Sequence, residues 1–265
     1  MPTPLTTLRW DEPQGATARG TVIVLAGRGE SSTVYSRFGQ RLAADAYRVR
    51  AVGDLTELDL DAGLLVRSLV AESEAHPIVL VGSDTGALLA LSLATAPDLK
   101  FAAVVTAGLP LGQSQLASDD DPFEARSVCP VHRRVLTNED AVDPTAYTRA
   151  IPASLGLADP RAVRAPVLGI HGEHDTISPI AAAREYYRQF ADRAALTIVS
   201  GGRHDILNDV SHRSVAATIV LLLEQLRNDG TPTTRLELFG PQDADDDSGV
   251  VPAFIASPRA QVAVG

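Results

Sequence analysis

The chain has 265 residues, 45% of them hydrophobic and 21% charged, enough for one large α/β domain or two small ones around a sizeable core. A formal net charge of −10 disfavours a nucleic-acid backbone or an anionic membrane surface as partner. The single cysteine, Cys129, excludes an internal disulfide, lacks any zinc-ligand spacing and fits a reducing compartment.

The opening MPTPLTTLRWDEPQG has neither a basic n-region nor an apolar h-region. No stretch approaches the ~20 apolar residues that span a bilayer, so the protein is expected to be soluble and cytoplasmic. The first strong element is TVIVLAG (21–27), whose unbroken apolar, β-branched run reads as a strand buried on both faces. The same character recurs at 47–52, 77–82, 101–108, 166–172 and 196–202. Helical periodicity fills 34–46, 61–75, 85–95, 179–191 and 210–227. Strands alternating with helices predict right-handed βαβ units and a mostly parallel sheet flanked by helices.

Two regions break that alternation. Residues 112–165 are polar and punctuated by proline, and an insertion of this length predicts a small cap or lid. The core is then 1–111 and 166–228. Residues 229–265, with the acidic run Asp245, Asp246 and Asp247, read as a disordered tail, with VVPAFIA (250–256) a lesser candidate for an added strand.

Three motifs carry chemistry, each at a strand end. In VLVGSDTGALLALSLA a strand closes on Gly82, a helix opens near Thr85, and Asp84 stands between two glycines in the G-x-Nuc-x-G pattern of a nucleophile elbow. The competing reading makes Asp84 a helix N-cap. Ser83 occupies an x position, where its hydroxyl would point away. In VLGIHGEHDTISP, Asp175 follows the strand end, where open α/β sheets bind ligands, with His171 and His174 read as structural. In TIVSGGRHDILND, His204 sits between the last strand and the last helix. Nucleophile, acid, then histidine is the α/β-hydrolase order. No spacing suggests a metal, and no organic cofactor is implied.

On these stretches, together with RGTVIVLAGRGESS and YSRFGQRLAADAYRV, the chain resembles the α/β-hydrolase superfamily over about residues 19–227 except the cap. Within it the chain is most similar to the lysophospholipase, monoacylglycerol lipase and serine aminopeptidase S33-like branch. The resemblance implies the α/β-hydrolase fold and an oxyanion hole formed by the backbone N–H groups of Arg28 and Thr85. The Arg28 side chain either keeps Asp84 ionised or pairs with Glu30 on the surface. Two positions depart from the branch: Ala26 replaces its usual histidine, and Asp84 its serine.

An aspartate nucleophile resembles the haloalkane dehalogenase and epoxide hydrolase branches. There a carboxylate attacks an sp³ carbon and a histidine-activated water hydrolyses the alkyl-enzyme ester. Thr85 stands where a dehalogenase commonly has tryptophan, whereas Tyr147 is a candidate cap acid for epoxide opening. The expected function is a hydrolase using Asp84, Asp175 and His204 on a small, fairly apolar organic substrate. Activity should then rise as His204 titrates near ~6.5. The alternatives are ester hydrolysis, lyase or isomerase chemistry, and a catalytically silent ligand-binding homologue.

Overall fold

A computed structural model describes residues 6–56, 62–112 and 120–231. The acidic run and 250–256 lie outside the described residues. Seven strands form one sheet: β1 (Thr7–Trp10), β2 (Thr21–Leu25), β3 (Arg48–Val52), β4 (Ile78–Ser83), β5 (Ala103–Ala107), β6 (Val167–Gly172) and β7 (Ala194–Val199). Their spatial order is β1-β3-β2-β4-β5-β6-β7, with β1 antiparallel to β3 and every other neighbouring pair parallel. The expected strands are all present: four are trimmed at their ends, β4 runs one residue further to Ser83, and β7 lies earlier than expected, at Ala194–Val199 instead of 196–202. β1 was not foreseen: TLRW is short and only half-buried, so it has no apolar run to announce it.

The helices are α1 (Ser36–Ala44), α2 (Ala62–Ala71), α3 (Thr85–Leu93), α4 (Pro122–Arg126), α5 (Pro130–Leu136), α6 (Ile180–Arg188) and α7 (His212–Arg227). Alternation along each strand divides the core between the two sheet faces. Val22 and Val24 of β2 pack with Phe38 and Leu42 of α1 and with Ile219 and Leu222 of α7. Ile23 and Leu25 pack on the other face with Val66, Leu88, Leu91 and Tyr187. Each fully buried side chain of this size contributes about 1.5–3 kcal/mol before chain entropy is subtracted.

The segment between β5 and β6 is less irregular than its composition suggests. Asp121 caps α4 by accepting from the Phe123 N–H, with Pro122 in the first turn. The stretch carries α4, α5 and a 3₁₀ turn at Pro144–Thr148. It is tied to the loop after β2: Ser31 donates its N–H to the Ala141 carbonyl and Asp143 donates to that of Gly29, each at 2.8 Å. That tie sets Arg126 and Tyr147 above the carboxyl ends of the strands.

Candidate active site

The site is built at the carboxyl ends of β2, β4, β6 and β7, with β5 lying between β4 and β6. Asp84 follows β4 with φ 47° and ψ −121°, a backbone setting that costs a non-glycine residue about 1–3 kcal/mol. The turn it makes brings α3 tightly against β4 and β2. A Cβ on Gly82 would lie 2.2 Å from the Gly86 carbonyl oxygen, and one on Gly86 would lie 2.3 Å from that of Leu25. The Asp84 side chain does not cap α3, which removes the helix-cap reading. Instead its buried carboxylate faces three donors. Arg28 Nε reaches Oδ2 at 2.9 Å and Arg28 Nη2 reaches Oδ1 at 3.0 Å. Arg126 Nη2 reaches Oδ2 at 3.0 Å. Arg28 therefore pairs with Asp84 and not with Glu30.

Asp175 and His204 come from the loops after β6 and β7. These loops approach so closely that a Cβ on Gly172 would sit 2.4 Å from the carbonyl oxygens of Gly202 and Arg203. Asp175 Oδ2 accepts from His204 Nδ1 at 2.8 Å, while Oδ1 accepts the N–H groups of Ile177 and Ser178 at 2.9 and 2.8 Å. The free ring nitrogen, His204 Nε2, stands 3.6 Å from Asp84 Oδ1. It makes no hydrogen bond, being held to Asp84 only as an ion pair, and the buried Thr85 Oγ1 and Tyr147 hydroxyl make none either. His171 is also part of this network: Nε2 donates to the Ser178 carbonyl at 2.6 Å and lies 3.2 Å from Asp175 Oδ2. His174 is exposed and Ser83 is buried at the strand end.

Four charged or titratable residues enter without having been singled out in the sequence. Arg126 bridges Asp84 and Asp205, giving Nη1 to Asp205 Oδ1 at 2.8 Å, and its guanidinium lies 3.7 Å from the centre of the Tyr147 ring. His132 of α5 closes the chain on Asp205 Oδ2 at 3.0 Å. Glu30 is buried beside the loop after β2 and accepts from the Gly27 N–H at 3.0 Å and the Tyr35 hydroxyl at 2.5 Å. Asp205, adjacent to His204 in RHD, carries the only one of these signals that sequence could offer. Arg126 and His132 come from the segment with only weak helical stretches, and Glu30 is read in the sequence only as a pairing partner for Arg28.

Charge decides the protonation states. Burial alone would raise the Asp84 carboxyl, but Arg126, His204 and Arg28 outweigh it and hold it well below the usual range. Burial would lower His204; the charge and hydrogen bond of Asp175, then Asp84, raise it to about 10. Burial, then Asp205, raises Glu30 to about 7. The imidazole is thus an imidazolium at neutral pH, which moves the sequence-based expectation near ~6.5 upward. A raised folded value means that His204 stabilises the protein fully below ~6.5 and loses that contribution as pH rises through about 10. The His204 ring resonances should show no titration between pH 5 and 8 by NMR, and Asp175→Asn should bring the midpoint down. A wild-type midpoint near the free-histidine value would contradict this electrostatic arrangement.

Among the described residues, no cluster of His, Cys, Asp or Glu has the arrangement of a metal site, and no helix is long and apolar enough to cross a membrane. No protein-family model and no curated protein matches the sequence. Solved structures do match. The monoacylglycerol lipase of Paleococcus ferrophilus is 19% identical with a TM-score of 0.64, over 84% of this chain and 98% of that one. A soluble variant of the monoglyceride lipase of Saccharomyces cerevisiae is 13% identical with a TM-score of 0.68, over 84% and 92%. MenH from S. aureus is 14% identical with a TM-score of 0.65, over 84% and 99%. At these identities the likeness establishes the fold: this chain has the α/β-hydrolase fold.

Proposed function

We propose that the chain is a hydrolase of small, fairly apolar organic electrophiles, with an epoxide-like substrate preferred to an ester and with Asp84 as nucleophile. Residues 112–165 act as its cap, supplying Arg126 and Tyr147. The observation that carries this reading is His204 Nε2, free of any hydrogen bond and 3.6 Å from Asp84 Oδ1, with its other nitrogen fixed by Asp175. A histidine oriented by a carboxylate and aimed at the elbow residue has the arrangement of acid–base catalysis. The orphan Thr85 Oγ1 and Tyr147 hydroxyl add polar groups that a substrate oxygen would satisfy.

The chemistry proceeds in two steps. Asp84 Oδ1 attacks an sp³ carbon of the ring; the carbon–oxygen bond breaks, and the His204 imidazolium gives its proton to the departing alkoxide. Asp84, now an ester, no longer bears the charge that helped hold the proton on His204, so the neutral imidazole can take a proton from water. The hydroxide adds to the ester carbonyl. The guanidiniums of Arg28 and Arg126 and the N–H groups of Arg28 and Thr85 stabilise the resulting oxyanion on Oδ2. Collapse expels the alkoxide, which takes the proton back from His204. The Asp84 carboxyl then returns its proton to the imidazole, and the net reaction is epoxide plus water to diol.

A second reading is a ligand-binding protein without catalysis, favoured by the guanidinium bonds on both oxygens that attack would use. A single turnover in ¹⁸O-water, with enzyme in excess over styrene oxide or related epoxides, separates direct from covalent hydrolysis. The covalent route puts the solvent label into Asp84 and leaves the first diol unlabelled. A labelled first diol assigns direct attack by water, and absence of turnover across the panel favours the binding reading.

A further inference from the structure

Outside the active site, the junction of α1 and α7 gathers cations without matching acids. Arg37 and Arg41 lie one turn apart on the same face of α1, and His212 and Arg213 open α7, which packs against α1. Arg37 reaches across, giving Nη2 to the Asn208 carbonyl and bringing Nη1 to 3.8 Å from Cys129 Sγ. Arg41 Nε is buried with no acceptor. Among the described residues, no carboxylate lies within 4.0 Å of the guanidinium of Arg37, Arg41 or Arg213. We propose that this junction binds a compact, multiply charged oxyanion of the phosphate type.

Of the two acids nearest in sequence, Asp45 follows Arg41 by one turn but makes no ion pair with it within 4.0 Å, and Asp209 is already engaged. Asp209 Oδ1 accepts from the Ser127 hydroxyl at 2.8 Å and from the Val128 and Cys129 N–H groups at 3.0 and 3.1 Å, and Oδ2 from the Arg203 N–H at 2.9 Å. Its carboxylate is therefore held toward the segment after α4. The positive charge is felt at His212, whose imidazole is pushed down to about 4 by burial and then by Arg37, Arg41 and Arg213. Ser211, at the N-cap of α7, makes no side-chain capping bond, so the positive end of a 16-residue helix adds to the same field. In a chain of net charge −10 such a cluster is not a by-product of general basicity. A single carboxylate would neutralise one arginine, whereas a phosphate monoester offers two charges and several acceptors to forked guanidiniums.

His212 reports occupancy directly. Titrating the full-length protein with inorganic phosphate should raise the His212 midpoint, seen by NMR, by about one pH unit or more as the arginines are neutralised. Sodium chloride at equal ionic strength should not reproduce this. Arg41→Gln and Arg213→Gln should each weaken phosphate binding about tenfold or more while leaving the melting temperature near the wild-type value. Flotation with phosphatidylcholine vesicles, with and without phosphatidic acid, separates the sources: vesicle capture assigns a lipid headgroup, and binding of free phosphate alone assigns a soluble phosphate compound. The proposal is overturned if phosphate and chloride act alike and vesicles are ignored, or if both substitutions leave phosphate affinity unchanged.

Discussion

Replacing Asp84 by asparagine should destabilise the folded protein by about 3–5 kcal/mol, the usual cost of removing one partner from a buried ion pair. The side chains of Arg28 and Arg126 are only 14% and 3% exposed, so water cannot take over the lost contacts. Arg126 keeps Asp205, but Arg28 loses its carboxylate altogether, and His204 loses the second of its two acids. Removing the strained elbow residue itself would not recover this, because Gly82 and Gly86 continue to fix the turn. Urea unfolding at neutral pH measures the effect as a lower midpoint at unchanged slope. A variant as stable as wild type would mean that the guanidiniums find other acceptors and that Asp84 is not the centre of the charge network.

This prediction bears on how far the site could be read from the sequence. The sheet was legible because strands such as TVIVL and IVLVGS are buried on both faces and leave uninterrupted apolar runs. Asp84, Asp175 and His204 could be singled out because a doubly wound sheet puts strand ends on one edge, so three short motifs in chain order identify neighbours far apart in sequence. Arg126 and His132 offered no comparable signal. They arise from short helices that open on Pro122 and Pro130, only the first of them capped by a side chain, Asp121, in a segment whose polarity hides its periodicity. The partner of Arg28 was equally hidden: Glu30 is two residues away, but the turn at Gly29, with φ +69°, separates them. That turn leaves Glu30 to Gly27 and Tyr35 and Arg28 to Asp84. Protonation followed from the same missing residues, since the state of Asp84 depends first among its charged neighbours on Arg126.

Removing the base while keeping the nucleophile should trap the covalent intermediate. In His204→Ala, Asp84 retains Arg28 and Arg126 but loses the imidazolium facing Oδ1, so attack remains chemically possible. Alkyl halides are the better probe here, because the halide leaves with its electron pair and needs no proton, whereas an epoxide oxygen needs the acid that has been removed. The ester should then persist, since hydrolysis without general-base help slows by about 10²–10⁴-fold. Intact mass should rise by one alkyl group, and digestion should place it on the peptide containing Asp84. Asp175 keeps His171 and two backbone N–H partners in this variant, so the loop remains satisfied, and His204→Gln provides a second version of the same test. Asp84→Ser in the same background should carry no such ester under identical exposure. A halide or epoxide turned over by the native protein that leaves both His204 variants unmodified, while they still release product, would make Asp84 a charge anchor or general base. The attacking group would then be water.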